Sequence, residues 1–141
     1  MEQNYKNHRR IIPSYHFITL LSLIAMVIGS FVNLFTSTKS NLYSASLICL
    51  GSLIMLSLFF HCRRFAVRAQ DRAIRAEENL RHFIITGKPL DRRLQMRQVI
   101  ALRFAPDEEF IELAKKAADQ NLSSLDIKLA IKNWKADYNR A

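Results

Sequence analysis

The sequence predicts an all-α membrane protein: an antiparallel two-helix transmembrane hairpin, a second helix that extends into the cytoplasm, and a small helical C-terminal region. Three observations carry this. Residues 17–35 and 42–60 each give 19 residues without a charged side chain, close to the roughly 20 needed to cross a hydrocarbon core. Between Phe17 and Phe60 the only charged residue is Lys39, whereas the charge lies almost wholly from Arg63 onward. Finally, no Gly or Pro interrupts the chain between Ser52 and Gly87, so the second apolar helix has nothing to stop it for more than twenty residues.

The implied divisions are an N-terminal segment (1–16), the hairpin (17–60), an extension helix (61–87) and a helical C-terminal region (88–141). The first span, FITLLSLIAMVIGSFVNLF, and the second, LYSASLICLGSLIMLSLFF, lack the polar stripe of a surface helix. A soluble bundle is disfavoured because so short a chain has little other material to cover both. A signal peptide is disfavoured because the apolar stretch is long, no small-x-small cleavage site follows it, and a second span comes six residues later. The connector TSTKSN allows only a tight antiparallel turn. Ala25 and Gly29 on the first span, and Ser44 and Gly51 on the second, are the small residues at which helices could approach closely.

Orientation follows from Lys and Arg near the span ends. Lys6, Arg9 and Arg10 precede the first span; Arg63, Arg64 and Arg68 follow the second; Lys39 stands alone in the connector. Both termini are therefore expected in the cytoplasm.

In the extension helix, Phe65, Ala69, Ala73, Ala76, Leu80 and Phe83 or Ile84 recur at helical spacing, which predicts a buried stripe with Leu80 and Phe83 in a tail core. Arg64, Arg68, Arg72, Arg75 and Arg81 occupy the other side, and Asp71–Arg75 and Glu77–Arg81 are possible i,i+4 pairs. Gly87 and Pro89 end the helix. Three shorter helices are expected next. Asp91 is placed to cap RRLQMRQVIALRF, with Met96, Val99, Ile100 and Phe104 on its apolar face. Pro106 and Asp107 open DEEFIELAKKAADQN, whose early acids suit the helix dipole; Phe110, Leu113, Ala114 and Ala117 share a face. Ser123 and Asp126 form an S-x-x-D start signal for a last stripe of Ile127, Ala130, Ile131, Trp134 and Tyr138.

Net charge is +9, but the excess is local. Residues 63–104 hold eleven Lys and Arg against four Asp and Glu, whereas residues 105–141 hold six against seven. A basic block beside a membrane suits anionic phospholipid headgroups, and Arg9, Arg10, Tyr15, His16, His61, Arg63, Arg64 and Arg68 form the expected interface set. The alternative is nucleic-acid or ribosome contact through the basic stretch 63–104.

Chemistry-bearing groups are few. His16 and His61 fall at the same end of the two spans, with Tyr15 and Cys62 nearby, so a metal or redox site at His16, His61 and Cys62 deserves weighing. Against it, no metal-ligand spacing is present, and His and Tyr commonly fill a headgroup region. Pro13 suits a first helical turn, with Asn7 or Ser14 capping. Cys49 and Cys62, thirteen residues apart on one helix, lie about 20 Å from each other and cannot pair within the chain. No nucleophile–base pair or phosphate-binding glycine loop is evident. The chain reads as non-enzymatic, with no catalytic residue, cofactor or metal assigned. It is expected to be an accessory subunit or anchor that docks a protein partner, or itself, through Leu80, Phe83, Phe110, Ile131 and Trp134.

QNYKNHRRIIPSYHF at the start, ALRFAPDEEF in the middle and SSLDIKLAIKNWKADYNR at the end resemble an uncharacterised family of short two-span bacterial membrane proteins. The resemblance implies a bacterial inner-membrane location and the same helical layout, and carries over no catalytic residue.

The orientation is directly testable. In Ser37→Cys, an impermeant thiol reagent should label the connector in intact cells, because six of the seven flanking basic residues lie on the terminal sides. Labelling confined to inside-out vesicles would reverse the assignment.

Overall fold

The computed structural model describes residues 4, 7 and 11–137; Lys6, Arg9, Arg10 and Tyr138, named above, lie outside the described residues. The described chain is all-helical and contains two long apolar helices. A π-helical turn, Ser14–Thr19, leads into α1 (Leu20–Thr36), followed by α2 (Leu42–Thr86), α3 (Met96–Leu102), α4 (Asp107–Gln120) and α5 (Ser124–Ala130). The residues group into two compact units, Ile11–Ala66 and Val67 onward.

In the first unit Pro13 occupies the N-cap position, and no side chain caps the helix; Ser14 does not take that role. The wide turn is closed instead by Thr19, whose Oγ1 donates to the Ser14 carbonyl at 3.0 Å. α1 ends where Ser37 turns extended, and a short turn with Asn41 N–H donating to the Thr38 carbonyl leads to α2. Side chains of α2 meet Ser30 of α1 and Tyr15 of the π-helical turn. The Ser30 and Ser52 hydroxyls are 2.9 Å apart and buried, and the Tyr15 ring stacks on Phe59 with centroids 4.2 Å apart. Leu23, Ala45 and Cys49 are also buried in this unit. The small residues anticipated at this contact are elsewhere: Ala25, Gly29 and Ser44 are exposed, and a Cβ on Gly29 or Gly51 would meet nothing within 4 Å. Serine suits the contact because each hydroxyl also lies 2.7 Å from a carbonyl three residues back in its own helix. One can donate to its carbonyl while the other donates across the contact, and neither buried oxygen lacks a partner.

In the second unit α2 stops at Gly87, whose φ of +70° favours a residue without a Cβ and whose N–H donates to the Phe83 carbonyl at 2.8 Å. The chain then runs back along α2: Asn79 Oδ1 accepts the Leu90 N–H at 2.9 Å, and Arg75 donates to the Leu94 carbonyl at 3.1 Å. α3 is shorter than its periodicity predicted. Asp91 does not cap it, because its carboxylate accepts the Arg93 backbone N–H and guanidinium and so closes a turn. Gln95 and Gln98 form a reciprocal capping box instead. The buried side of α3 is accordingly Gln98, Val99, Ala101 and Leu102, with Met96 and Ile100 only half-buried.

α4 follows its sequence closely. Asp107, Glu108 and Glu109 fill its first turn, Phe110, Leu113, Ala114 and Ala117 are buried, and Asn121 ends it in the left-handed region. Ser123 and Asp126 make the expected capping box for α5. There the helix is cut short: residues 131–137 are not helical, and Glu109 accounts for the change. Its carboxylate accepts the backbone N–H groups of Lys132 and Asn133, each at 2.9 Å, taking donors that a continuing helix would have turned on its own carbonyls. Lys135 N–H then donates to the Phe104 carbonyl at 2.8 Å, and Trp134 stacks on Phe104 at 4.6 Å.

The resulting core comprises Leu90, Leu94, Val99, Ala101, Leu102, Ala105, Phe110, Leu113, Ala114, Ala117 and Ile127, with Ile131 packed at its margin. Leu80 and Phe83 are not in it; they are 58 % and 52 % exposed. α2 instead turns Ile74 and Glu78 inward.

Phe110 is fully buried at the start of α4. Phe110→Ala should cost about 3–5 kcal/mol, read as a loss of amide protection across α3–α5 in the full-length protein while α1 exchanges unchanged. Equal protection in wild type and variant would remove Phe110 from the centre of this core.

Candidate functional site

Two places gather chemistry-bearing side chains, one in each unit. In the first unit the Tyr15 hydroxyl donates to the Phe59 carbonyl at 2.6 Å. His16 packs edge-on against Tyr15, and the Arg63 guanidinium stands 5.7 Å from the Tyr15 ring centroid. His16 and His61 are each bound locally: the Nδ1 atoms lie 2.9 and 2.8 Å from the carbonyls of Ile12 and Ser57, four residues back in each case. His61 also tilts against Phe65. Cys62, Arg64 and Arg68 are exposed. Among the described residues no group of three or more His, Cys, Asp or Glu side chains is placed to hold a metal ion. The local arrangement is an aromatic and basic cluster around Tyr15.

The second place is the inward side of α2 in the second unit. Arg81 is its hub. Nη1 donates to Glu78 Oε2 at 3.0 Å, Nε to Asp107 Oδ1 at 2.6 Å and Nη2 to the Ala105 carbonyl at 2.8 Å. The guanidinium carbon lies 4.3 Å from the Phe110 ring centroid, and the side chain is only 13 % exposed. The i,i+4 pairs read from spacing do not form: Arg81 takes Glu78 and Asp107 rather than Glu77, and Arg75 takes the Leu94 carbonyl rather than Asp71. Arg103, 8 % exposed, pairs with Asp137 at 3.0 Å. Beside this network lies a cavity of about 330 Å³ lined by Ile74, Glu77, Glu78, Arg103 and Lys135 among others.

Two glutamates are perturbed in opposite directions. Burial pushes the Glu78 carboxyl above the ordinary glutamate range, and the Arg81 hydrogen bond and charge only partly offset it. The Lys132 backbone N–H, helped by Asn133, holds Glu109 below that range despite some desolvation. Such paired shifts can mark a reaction site. Here both carboxylates are bound to groups that fix the tail, so their evident work is structural.

Of the residues proposed for docking or tail core, the structure brings together Phe110, at the centre, with Ile131 at the margin; Trp134 stacks on Phe104 beside them. Leu80 and Phe83 remain outside. Sequence spacing missed Arg81, Glu78, Glu109 and Gln98. Only the first two carry a faint local signal, the i,i+3 pairing of opposite charges.

Two long apolar helices and a packed helical tail held by ion pairs define an all-α protein. The chain belongs to a family of unknown function, DUF6526, whose model matches residues 1–141. No curated protein and no solved structure matches it.

The glutamates should give the tail a two-sided pH dependence. Glu78 binds its proton more tightly when folded, so its contribution falls as pH rises from the ordinary glutamate value through its raised one. Glu109 is held ionised by the fold, so its contribution is present above the ordinary value and is lost as pH falls through its depressed one. Amide protection of α3–α5 should therefore show a lessened acid-side decline in Glu109→Gln and a lessened decline above the ordinary glutamate value in Glu78→Gln. Unaltered profiles in both variants would contradict these assignments.

Proposed function

We propose that the protein is a non-catalytic anchor or accessory subunit of a bacterial cytoplasmic membrane, crossing it as a two-helix antiparallel hairpin with both termini in the cytoplasm and docking a protein partner through its tail. The membrane part of this reading is supported by exposure as well as length. Large apolar side chains stand open along both helices, among them Ile18 at 66 %, Phe35 at 82 % and Leu58 at 53 %, which water would penalise and a hydrocarbon phase accept. The contacts of Tyr15 with Phe59 and of Ser30 with Ser52 agree with an antiparallel pair. The charge bias around the connector favours cytoplasmic termini and contact with anionic phospholipids.

One observation carries the docking part. Ala69, Ala73, Ala76, Leu80, Phe83 and Ile84, the stripe that helical spacing marks for burial, is exposed along its whole length, although it lies beyond the apolar span. The core of the tail forms without it. An apolar row on a helix, left open while a polar row packs inward, is the pattern by which a helix meets a groove on a partner. The non-catalytic part is supported by how the buried charges are spent: Glu78, Arg81 and Arg103 hold the tail together. For the same reason the basic stretch 63–104 has fewer open arginines for nucleic acid than its sequence offers.

The test is a photo-crosslinker at Phe83 in native membranes. A discrete crosslinked protein is expected, and Leu80→Asp should abolish it while amide protection of α3–α5 stays unchanged, because Leu80 is outside the core. Loss of that protection in Leu80→Asp, or no crosslink in the wild type, would sink the docking surface.

A further inference from the structure

A second cavity of the tail unit, of about 650 Å³, opens where α2 faces the turn after Pro89. Arg72 and Arg75 line it from α2 and Arg92 from the turn, with Ala76, Asn79, Leu90 and Met96 among the other lining residues. No ion pair among the described residues includes any of these three arginines. The acid on the rim, Asp91, is already engaged: its carboxylate binds the Arg93 guanidinium through Nε and Nη2 at 2.8–3.2 Å, and Arg93 itself is shared with Asp119. Arg75 is held in place by the Leu94 carbonyl, leaving the rest of its fork of donors for a ligand. The Asn79 oxygen is taken by the Leu90 N–H, so the side chain faces a ligand as a donor.

Three guanidinium groups that share one cavity repel each other unless an anion joins them. Their planar donors match phosphate oxygens two at a time, and a charge of +3 calls for more than one carboxylate can bring. The volume lies within the range of small-ligand sites. We propose that this groove binds a diphosphate group, with Arg72, Arg75 and Arg92 as its cationic ligands and Asn79 as a neutral donor. The group could be carried by a soluble phosphate ester or presented by a phosphate-bearing lipid headgroup. Ala76 borders both this groove and the docking stripe, but the three arginines and Asn79 lie outside the stripe.

The probe is inorganic pyrophosphate, titrated calorimetrically into the full-length protein in neutral detergent. Saturable one-to-one binding is expected. Arg72→Gln combined with Arg92→Gln should weaken it by at least about tenfold, since each change removes charge-assisted hydrogen bonds. Arg64→Gln combined with Arg68→Gln removes the same charge from exposed positions of α2 and should leave it within about twofold. Arg75 is spared in these variants because it also holds the Leu94 carbonyl, and unchanged amide protection of α3–α5 confirms that each pair is folded. No saturable binding by the wild type, or an equal loss in the two double variants, would overturn the site. Repeating the titration in discs of neutral lipid and of phosphatidic acid then assigns the source. Blocked binding in phosphatidic acid supports a groove filled by a headgroup, and equal binding supports one filled from solution.

Discussion

Arg81 is the interaction on which the tail depends. One guanidinium binds Glu78 in its own helix, Asp107 at the start of α4 and the Ala105 carbonyl in the turn before it, while its face covers the Phe110 ring. Burying a charge is costly unless its donors are satisfied, and here all three nitrogens and the face of the guanidinium find partners. A lysine could keep the charge but not this fork. The raised proton affinity of Glu78 shows how finely the arrangement is balanced. Burial outweighs even an adjacent arginine, so the pair fixes geometry more than it adds stability.

That interaction also explains which part of the tail could be read from sequence. The α4 segment was legible because its signals agree: Pro106 before the first turn, acids within it, and Phe110, Leu113, Ala114 and Ala117 at helical spacing. The capping box of Ser123 and Asp126 is equally local. Local signals fail where a distant residue competes for the backbone. α5 reads as helix to Tyr138 by spacing, yet Glu109, more than twenty residues earlier, takes the N–H groups of Lys132 and Asn133. Nothing within residues 131–137 announces that competitor. α3 fails more simply, because Asp91 has a closer use in binding Arg93, and Gln95, a less usual cap, takes its place.

The orientation of α2 about its axis was misread for a physical reason. Spacing finds an apolar row, and burial of an apolar row is the default. In this helix a second row, Ile74, Glu78 and Arg81, turns inward, with Arg81 pairing both with Glu78 beside it and with Asp107 of α4. The opposite row, from Ala69 to Ile84, is then left in the open. The same inversion holds between α1 and α2, where Ser30 and Ser52 meet while Gly29 and Gly51 face open space. Hydrogen-bonding capacity has settled both faces. Hydrophobicity alone would have chosen otherwise.

The basic block, finally, separates into uses that its composition conceals. Arg81 and Arg103 are spent inside the tail on Glu78, Asp107 and Asp137. Arg93 is spent at its surface on Asp91 and Asp119, and Arg63 leans over Tyr15. Arg64 and Arg68 remain exposed, in the place where a positive-inside bias needs only charge. Arg72, Arg75 and Arg92 differ from all of these, because they share one cavity and the carboxylate on its rim is committed to Arg93. Folding has matched Arg81, Arg93 and Arg103 with acids and has left these three together around one cavity, so an external anion is the partner that their electrostatics calls for.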